Sequence, residues 1–146
     1  MTARRICLAL PTHRECVATI ELLAAEAAYG AATYGVEVEL LILDSCDPLT
    51  YAGHVAAVRA LADAPGVSVT HLDEAAQREF LQRVITEAGV AKPELIAQLM
   101  LPELASYGAC TNRAFLIAAA LGCESVHRRD SDLYFQTQAG RRLFPI

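Results

Sequence analysis

Short apolar runs alternate with longer helical stretches along this chain, and that alternation restricts its fold more than any single residue does. Arg5 to Leu10 is an apolar run of strand length, ended by Pro11-Thr12-His13-Arg14 before a helical pattern begins. Val36 to Leu43 alternates, then turns wholly apolar and stops at the acidic loop Asp44-Ser45-Cys46-Asp47-Pro48. Val67 to Leu72 alternates up to Asp73, a residue suited to an N-cap, and Ser125 to Arg129 is a last β-like run ahead of Asp130-Ser131-Asp132. Between them, Glu15 to Tyr34 is rich in Ala and Leu and reads as a helix, with Gly30 and Gly35 marking a fraying end. Pro48 to Ala62, Asp73 to Ala88 and Pro93 to Ser106 read as further helices, the last broken at Pro102. Gly108 to Arg113 opens a helix that runs to Leu121-Gly122. Parallel strands need such long crossovers, so the pattern predicts an α/β fold: an open, mainly parallel, Rossmann-like sheet with helices on both faces.

Residues 1–146 read as a single domain, because 54% of the chain is hydrophobic and no linker or low-complexity stretch divides it. No apolar stretch is long enough to span a membrane, and Met1-Thr2-Ala3-Arg4-Arg5 leads into a strand without a signal-peptide pattern, so a cytoplasmic location is expected. The net charge of −5, with only short basic pairs such as Arg128-Arg129 and Arg141-Arg142, argues against nucleic acid as a partner. Cys7, Cys16, Cys46, Cys110 and Cys123 lack Cys-x-x-Cys spacing and fit neither a disulfide framework nor a zinc site. No Gly-x-Gly-x-x-Gly or Gly-x-x-x-x-Gly-Lys run is present to cradle a dinucleotide or a triphosphate.

In an open parallel sheet, ligands sit outside the carboxyl ends of the strands. Pro11-Thr12, Asp44 and Asp130-Ser131-Asp132 all fall there. Asp-x-Asp in that position can hold a divalent cation against a diphosphate, although the same triplet is common as a solvated turn. Asp44 has two readings, as a ligand acceptor or as the start of an Asx-turn with Ser45. Arg128 and Arg129 alternate faces, so both enter one cleft only if the strand has already ended.

The order of these segments resembles the nucleotide-binding half of GT-A glycosyltransferases, above all the large inverting family with strand-PT-x-NR, strand-DD-x-S, a helix carrying RN, and strand-D-x-D. An uncharacterised bacterial branch of that group is the nearest likeness. His13-Arg14 stands where Asn-Arg is usual, Asp44 alone represents the Asp pair, and Asn112-Arg113 lacks a preceding Arg. The resemblance implies a glycosyltransferase-like domain that binds a nucleoside diphosphate-sugar through a divalent cation, Mn or Mg. It nominates Pro11, Thr12, His13, Asp44, Asn112, Arg113 and Asp130 for the nucleotide, with Asp130 and Asp132 for the metal. Asp44 is then expected to accept from the N–H of a uracil or thymine ring, Pro11-Thr12 to pack on the base or ribose, and Arg113 with Arg128 or Arg129 to meet the diphosphate. His13 is expected beside the base site, or else as a loop side chain bonded to a neighbouring acid, and Tyr51, Tyr107 and Tyr134 can stack on a base or serve ordinary aromatic packing.

No general base is identifiable. In the family that this chain resembles, the acceptor side follows the Asp-x-Asp strand by many tens of residues. The expectation is a domain truncated after that strand and incomplete for transfer by itself, with a second copy or a partner chain as the source of the acceptor side. Glu103 and Glu124 are the acids to test first as a base. The alternatives are a non-catalytic α/β binding or scaffold module and a nucleotidyltransferase-like enzyme, for which Pro11-Thr12-His13-Arg14 lacks the Gly-rich basic loop.

Overall fold

A computed structural model describes residues 3–104 and 106–146. Met1-Thr2 of the expected leaderless start and Ala105 of the expected Pro93–Ser106 helix lie outside the described residues. The fold is α/β, built on a four-stranded, all-parallel sheet in the order β3-β2-β1-β4: β1 Arg5–Thr12, β2 Glu37–Asp44, β3 Val67–Asp73 and β4 Ser125–Arg128. The chain steps outward from β1 through α1 (Val17–Tyr34), β2 and α2 (Pro48–Ala60) to β3. It then returns through α3 (Glu74–Ala88), α4 (Pro93–Met100) and α5 (Tyr107–Ala120) to place β4 on the other side of β1. The direction of winding therefore reverses between β1 and β4, which is where a crevice opens in such sheets.

Strand periodicity divides the core in two. Ile6, Leu8 and Leu10 of β1, with Val38, Leu40 and Ile42 of β2, pack against Ile20, Leu23 and Ala27 of α1 and Val58 of α2. Cys7, Ala9, Leu41 and Leu43 face the opposite way onto Ala114, Ile117 and Ala118 of α5 and Phe80 of α3. A strand covered on both faces reads as a continuous apolar run, which is why β2 turned wholly apolar in sequence.

Pro11-Thr12 was expected to end the first strand as a loop, but both residues belong to β1 and pair with Leu43 and Asp44. The nitrogen of Pro11 points to the β4 side, and the β1–β4 ladder stops at Ala9↔Arg128 with Arg129 N donating to Ala9 O at 2.8 Å. The missing N–H therefore removes no ladder bond. Gly30 does not mark a fraying end: it is buried within α1, where a Cβ would lie 2.7 Å from Ile146 Cδ1. Gly35 ends α1 in the left-handed region at φ 64°, donating to Ala31 O. Asp73 caps α3 through Ala76 N, and α4 stops at Met100 before Pro102. The short hairpin of β5 (Thr137–Gln138) and β6 (Arg141–Arg142) was not expected from sequence; it turns on Ala139 and Gly140, both at positive φ. Beside it, Leu133, Phe135 and Ile146 complete the α1 face of the core. None of the helices is long and apolar enough to cross a membrane, among the described residues.

Just past β4, Arg129 turns to the α1 face, where its guanidinium donates to both carboxylate oxygens of Glu26 at 2.6 and 3.2 Å. Glu26 is fully buried. Removing one partner of a buried pair leaves an uncompensated charge, so Arg129→Ala is expected to cost about 3–5 kcal/mol in urea unfolding. Arg129→Ala combined with Glu26→Leu should recover most of that loss.

Candidate functional site

Asp44 ends β2 on the α2 face, and its side chain is fully enclosed. One oxygen, Oδ1, accepts from Cys46 N at 3.1 Å, which is the Asx-turn. The other, Oδ2, meets His54 Nδ1 at 2.7 Å and His71 Nε2 at 2.9 Å. The tautomer of His54 follows from its second nitrogen: Nε2 lies 3.0 Å from Cys16 N, a backbone N–H that can only donate. Nε2 must therefore be the bare nitrogen, and Nδ1 carries the proton given to Asp44. Burial by itself would raise the Asp44 carboxyl, but hydrogen bonds from His71, Cys46 and His54 outweigh it and hold the group well below the usual carboxylate range. Tyr51 packs on His71 with ring centroids 4.9 Å apart. Asp44 is thus no free acceptor for a base, and its enclosure corrects that expected role.

Asp44, Cys46 and His54 bring one ligand atom each within 4.8 Å of one another, the only such trio among the described residues. The donor set does not fit a metal as arranged. A cation on His54 Nδ1 needs the proton on Nε2, which would then face the Cys16 N–H donor to donor.

Thr12 is also consumed locally: Oγ1 donates to Arg14 O at 2.8 Å and accepts from Arg14 N and from the Cys16 thiol. This folds the segment after β1 so that Pro11, Thr12 and His13 line a cavity of about 480 Å³ at the β1/β4 switch point. Ser45 and Glu74, from the ends of β2 and β3, form its floor; Pro102, Leu104, Ser106 and Tyr107 form an apolar and hydroxyl-bearing wall; Arg128 stands at its β4 side. Arg113 reaches the floor from α5 almost wholly buried, donating through NH1 to both oxygens of Glu74 and to Gln77 Oε1, each at 3.1 Å. Ser45 donates its hydroxyl to Glu74 Oε2, and Arg113 NH2 donates to Cys110 Sγ at 3.4 Å.

Asp130 and Asp132 open instead into a second, shallower cavity of about 630 Å³ with Arg129, Tyr134 and Gln136. Arg128 belongs to both walls. Its guanidinium lies 3.8 Å over the Tyr107 ring and donates to Thr111 Oγ1 at 3.2 Å and to Asp130 Oδ1 at 2.7 Å, an oxygen that also accepts from Tyr107 OH. The aspartates sit on a turn closed by Leu133 N on Asp130 O and pinned to α1 by the Thr19 hydroxyl on Ser131 O. Both arginines border the second cavity, but only Arg128 reaches the first, and the guanidinium of Arg129 is given to Glu26.

Of the nominated residues, Pro11, Thr12, His13 and Arg113 share the first cavity, and Asp130 and Asp132 share the second. Asn112 is exposed on α5 and lines neither, because it follows one step around the helix from the buried Arg113. Glu103 borders the first cavity, whereas Glu124 pairs with Arg4 at 3.3 Å by the amino ends of the strands, away from both. Glu74 and Arg78 were missed. The signal was present in Asp73-Glu74, which follows the third strand just as Asp44 ends the second.

The chain belongs to a family of unknown function (DUF6271), whose profile matches residues 4–146. No curated protein and no solved structure matches it at a significant level.

Because the folded-state pKa of Asp44 lies below its unfolded value, its contribution to stability is complete above the unfolded pKa of about 4 and fades as pH falls toward the folded value. Asp44→Asn should therefore cost about 1.5–3 kcal/mol at pH 7, with the gap to wild type narrowing in urea titrations below about pH 4.

Proposed function

For this member of DUF6271, we propose binding of a nucleoside diphosphate-sugar across the β1/β4 switch point. The nucleoside occupies the first cavity, and the diphosphate passes Arg128 toward a divalent cation held at Asp130 and Asp132. One observation carries the reading: the segment after β1 and the aspartates after β4 stand on either side of a single arginine common to both cavities. Arg78, Arg113 and Arg128 outnumber Glu74 and Glu103 among the residues lining the first cavity, which suits an anionic ligand in a chain of net charge −5.

The acids after β4 fit the implied metal. They are exposed oxygen donors, and magnesium or manganese takes one or two carboxylates while keeping waters and phosphate oxygens as its other ligands. When bound, the cation would offset charge on the diphosphate. The chain's own residues do the rest: Arg128 offers a planar fork to phosphate oxygens, and Tyr107 beneath it fixes the plane of that fork. Sugar transfer in this reading is completed by an acceptor side from a partner chain or a second copy. Glu103 is the acid at the cavity rim that is left for a base.

Calorimetry tests the reading. Uridine diphosphate should bind more tightly with Mn²⁺ than with EDTA, and Asp132→Asn should remove most of that difference without changing the circular dichroism spectrum. An affinity indifferent to Mn²⁺ would refute the cation role and favour a plain α/β binding module.

A further inference from the structure

The cysteines have no paired spacing in sequence, but the fold brings two of them together at the amino ends of the strands. Cys7 is fully buried in β1, and Cys123 lies in the turn between α5 and β4, partly open to solvent. The backbone of that turn is fixed on both sides of the sulfur. Glu124 N donates to Arg5 O at 2.8 Å, which starts the β1–β4 seam, and Cys123 N donates to Ala118 O at 2.9 Å. The Cys123 side chain joins Cys7 in the apolar cluster beneath α5, where the Cys7 thiol donates a hydrogen bond to the Cys123 sulfur. Two sulfurs in contact on anchored backbone can be bridged without moving the strands that carry them.

The two thiols are not equivalent. Burial pushes Cys7 up to about 12, so it keeps its proton. Burial raises Cys123 as well, but the Arg5 guanidinium and the bond from Cys7 act against it, and it is the sulfur that a small molecule can reach. Cys123 therefore meets an oxidant first, and Cys7 resolves. Resolution needs a proton acceptor inside the sheet. Glu39 is the register partner of Cys7 on β2, lies on the same face and is 1% exposed. Arg5 donates to its Oε2 at 2.7 Å, while Oε1 is buried with no partner. An oxygen left in that state is costly, and the proton of the neighbouring thiol is the donor that it lacks.

We propose that Cys7 and Cys123 are a redox pair that closes into a disulfide across the β1–β4 seam, with Glu39 Oε1 receiving the proton of Cys7. With hydrogen peroxide as oxidant, the Cys123 sulfur takes one oxygen as the O–O bond breaks, giving a sulfenic acid and water. The Cys7 sulfur then attacks the Cys123 sulfur, the S–O bond breaks, and the departing hydroxide leaves as a second water with the proton that passed through Glu39. Two thiols lose two electrons, and one peroxide becomes two waters. The bond clamps β1 to the start of β4, at the opposite end of the seam from the crevice, and it does not depend on what ligand the crevice takes.

The wild-type chain provides the first test. After treatment with peroxide and blocking of the remaining thiols, a non-reducing digest should contain a Cys7–Cys123 cross-linked peptide, about 2 Da lighter than its two parts, that dithiothreitol separates. The bond constrains the unfolded chain, so the oxidised protein should unfold about 5–15 °C above the reduced one. In Glu39→Gln, dimedone should trap about tenfold more Cys123 sulfenic acid than in wild type, because resolution has lost its proton acceptor. Cys7 recovered free while Cys123 advances to sulfinic acid, or Cys123 bridged to a different cysteine, overturns the pair without any variant having to fold. An unchanged unfolding temperature overturns the clamp, and equal trapping in Glu39→Gln overturns the part assigned to Glu39.

Discussion

The carboxylate of Asp44 is the interaction on which the shape of the cleft depends. Four separate stretches of chain converge on it: its own strand, the loop through Cys46, α2 through His54 and β3 through His71. A fifth joins at one remove, because His54 passes the contact on to Cys16 N just ahead of α1. Donors from every side keep the charge in the interior affordable, and the same donors fix the segments that open the first cavity. The acid is thus structural in action although its position at a strand end looked functional. The burial that stabilises the arrangement also withdraws it from any ligand.

Much of the fold was legible because it depends on periodicity. Apolar runs of strand length separated by helical stretches leave few arrangements other than a parallel sheet with long crossovers, and the faces of β1 and β2 follow from the alternation of side chains. The cap at Asp73 was readable too, since a short acid before a helix has few other local uses. The strand end at Pro11-Thr12 was not. Proline is a reasonable stop signal, and only the staggered end of β4 makes its missing donor harmless. Likewise the β5–β6 hairpin rests on two residues at positive φ within a short stretch that carries no strand periodicity.

The candidate site was legible as a list of strand ends and not as an assignment of roles. Which acid stays open to solvent depends on histidines 10 and 27 residues away, pairings that no local pattern announces. Asn112 and Arg113 are adjacent in sequence, yet the helix turns one outward and the other into the floor beside Glu74. Arg128 and Arg129 separate in a similar way because the strand ends between the two contacts that they make. Residues at an element's end are the hardest to assign from sequence, since the periodicity that orients side chains stops there.

The unequal lengths of the two outer strands bear on how the molecule tolerates crowding. β4 offers only four residues to a neighbour, and Pro11 lies beyond the end of its ladder, so little backbone on that flank is free to template a strand from another chain. β3 offers seven, alternating, with Val69 turned to solvent and no charged side chain between Val67 and Thr70. Any tendency of this protein to self-associate by edge-to-edge pairing is therefore one-sided: it belongs to the β3 flank, on the opposite side of the sheet from the switch point.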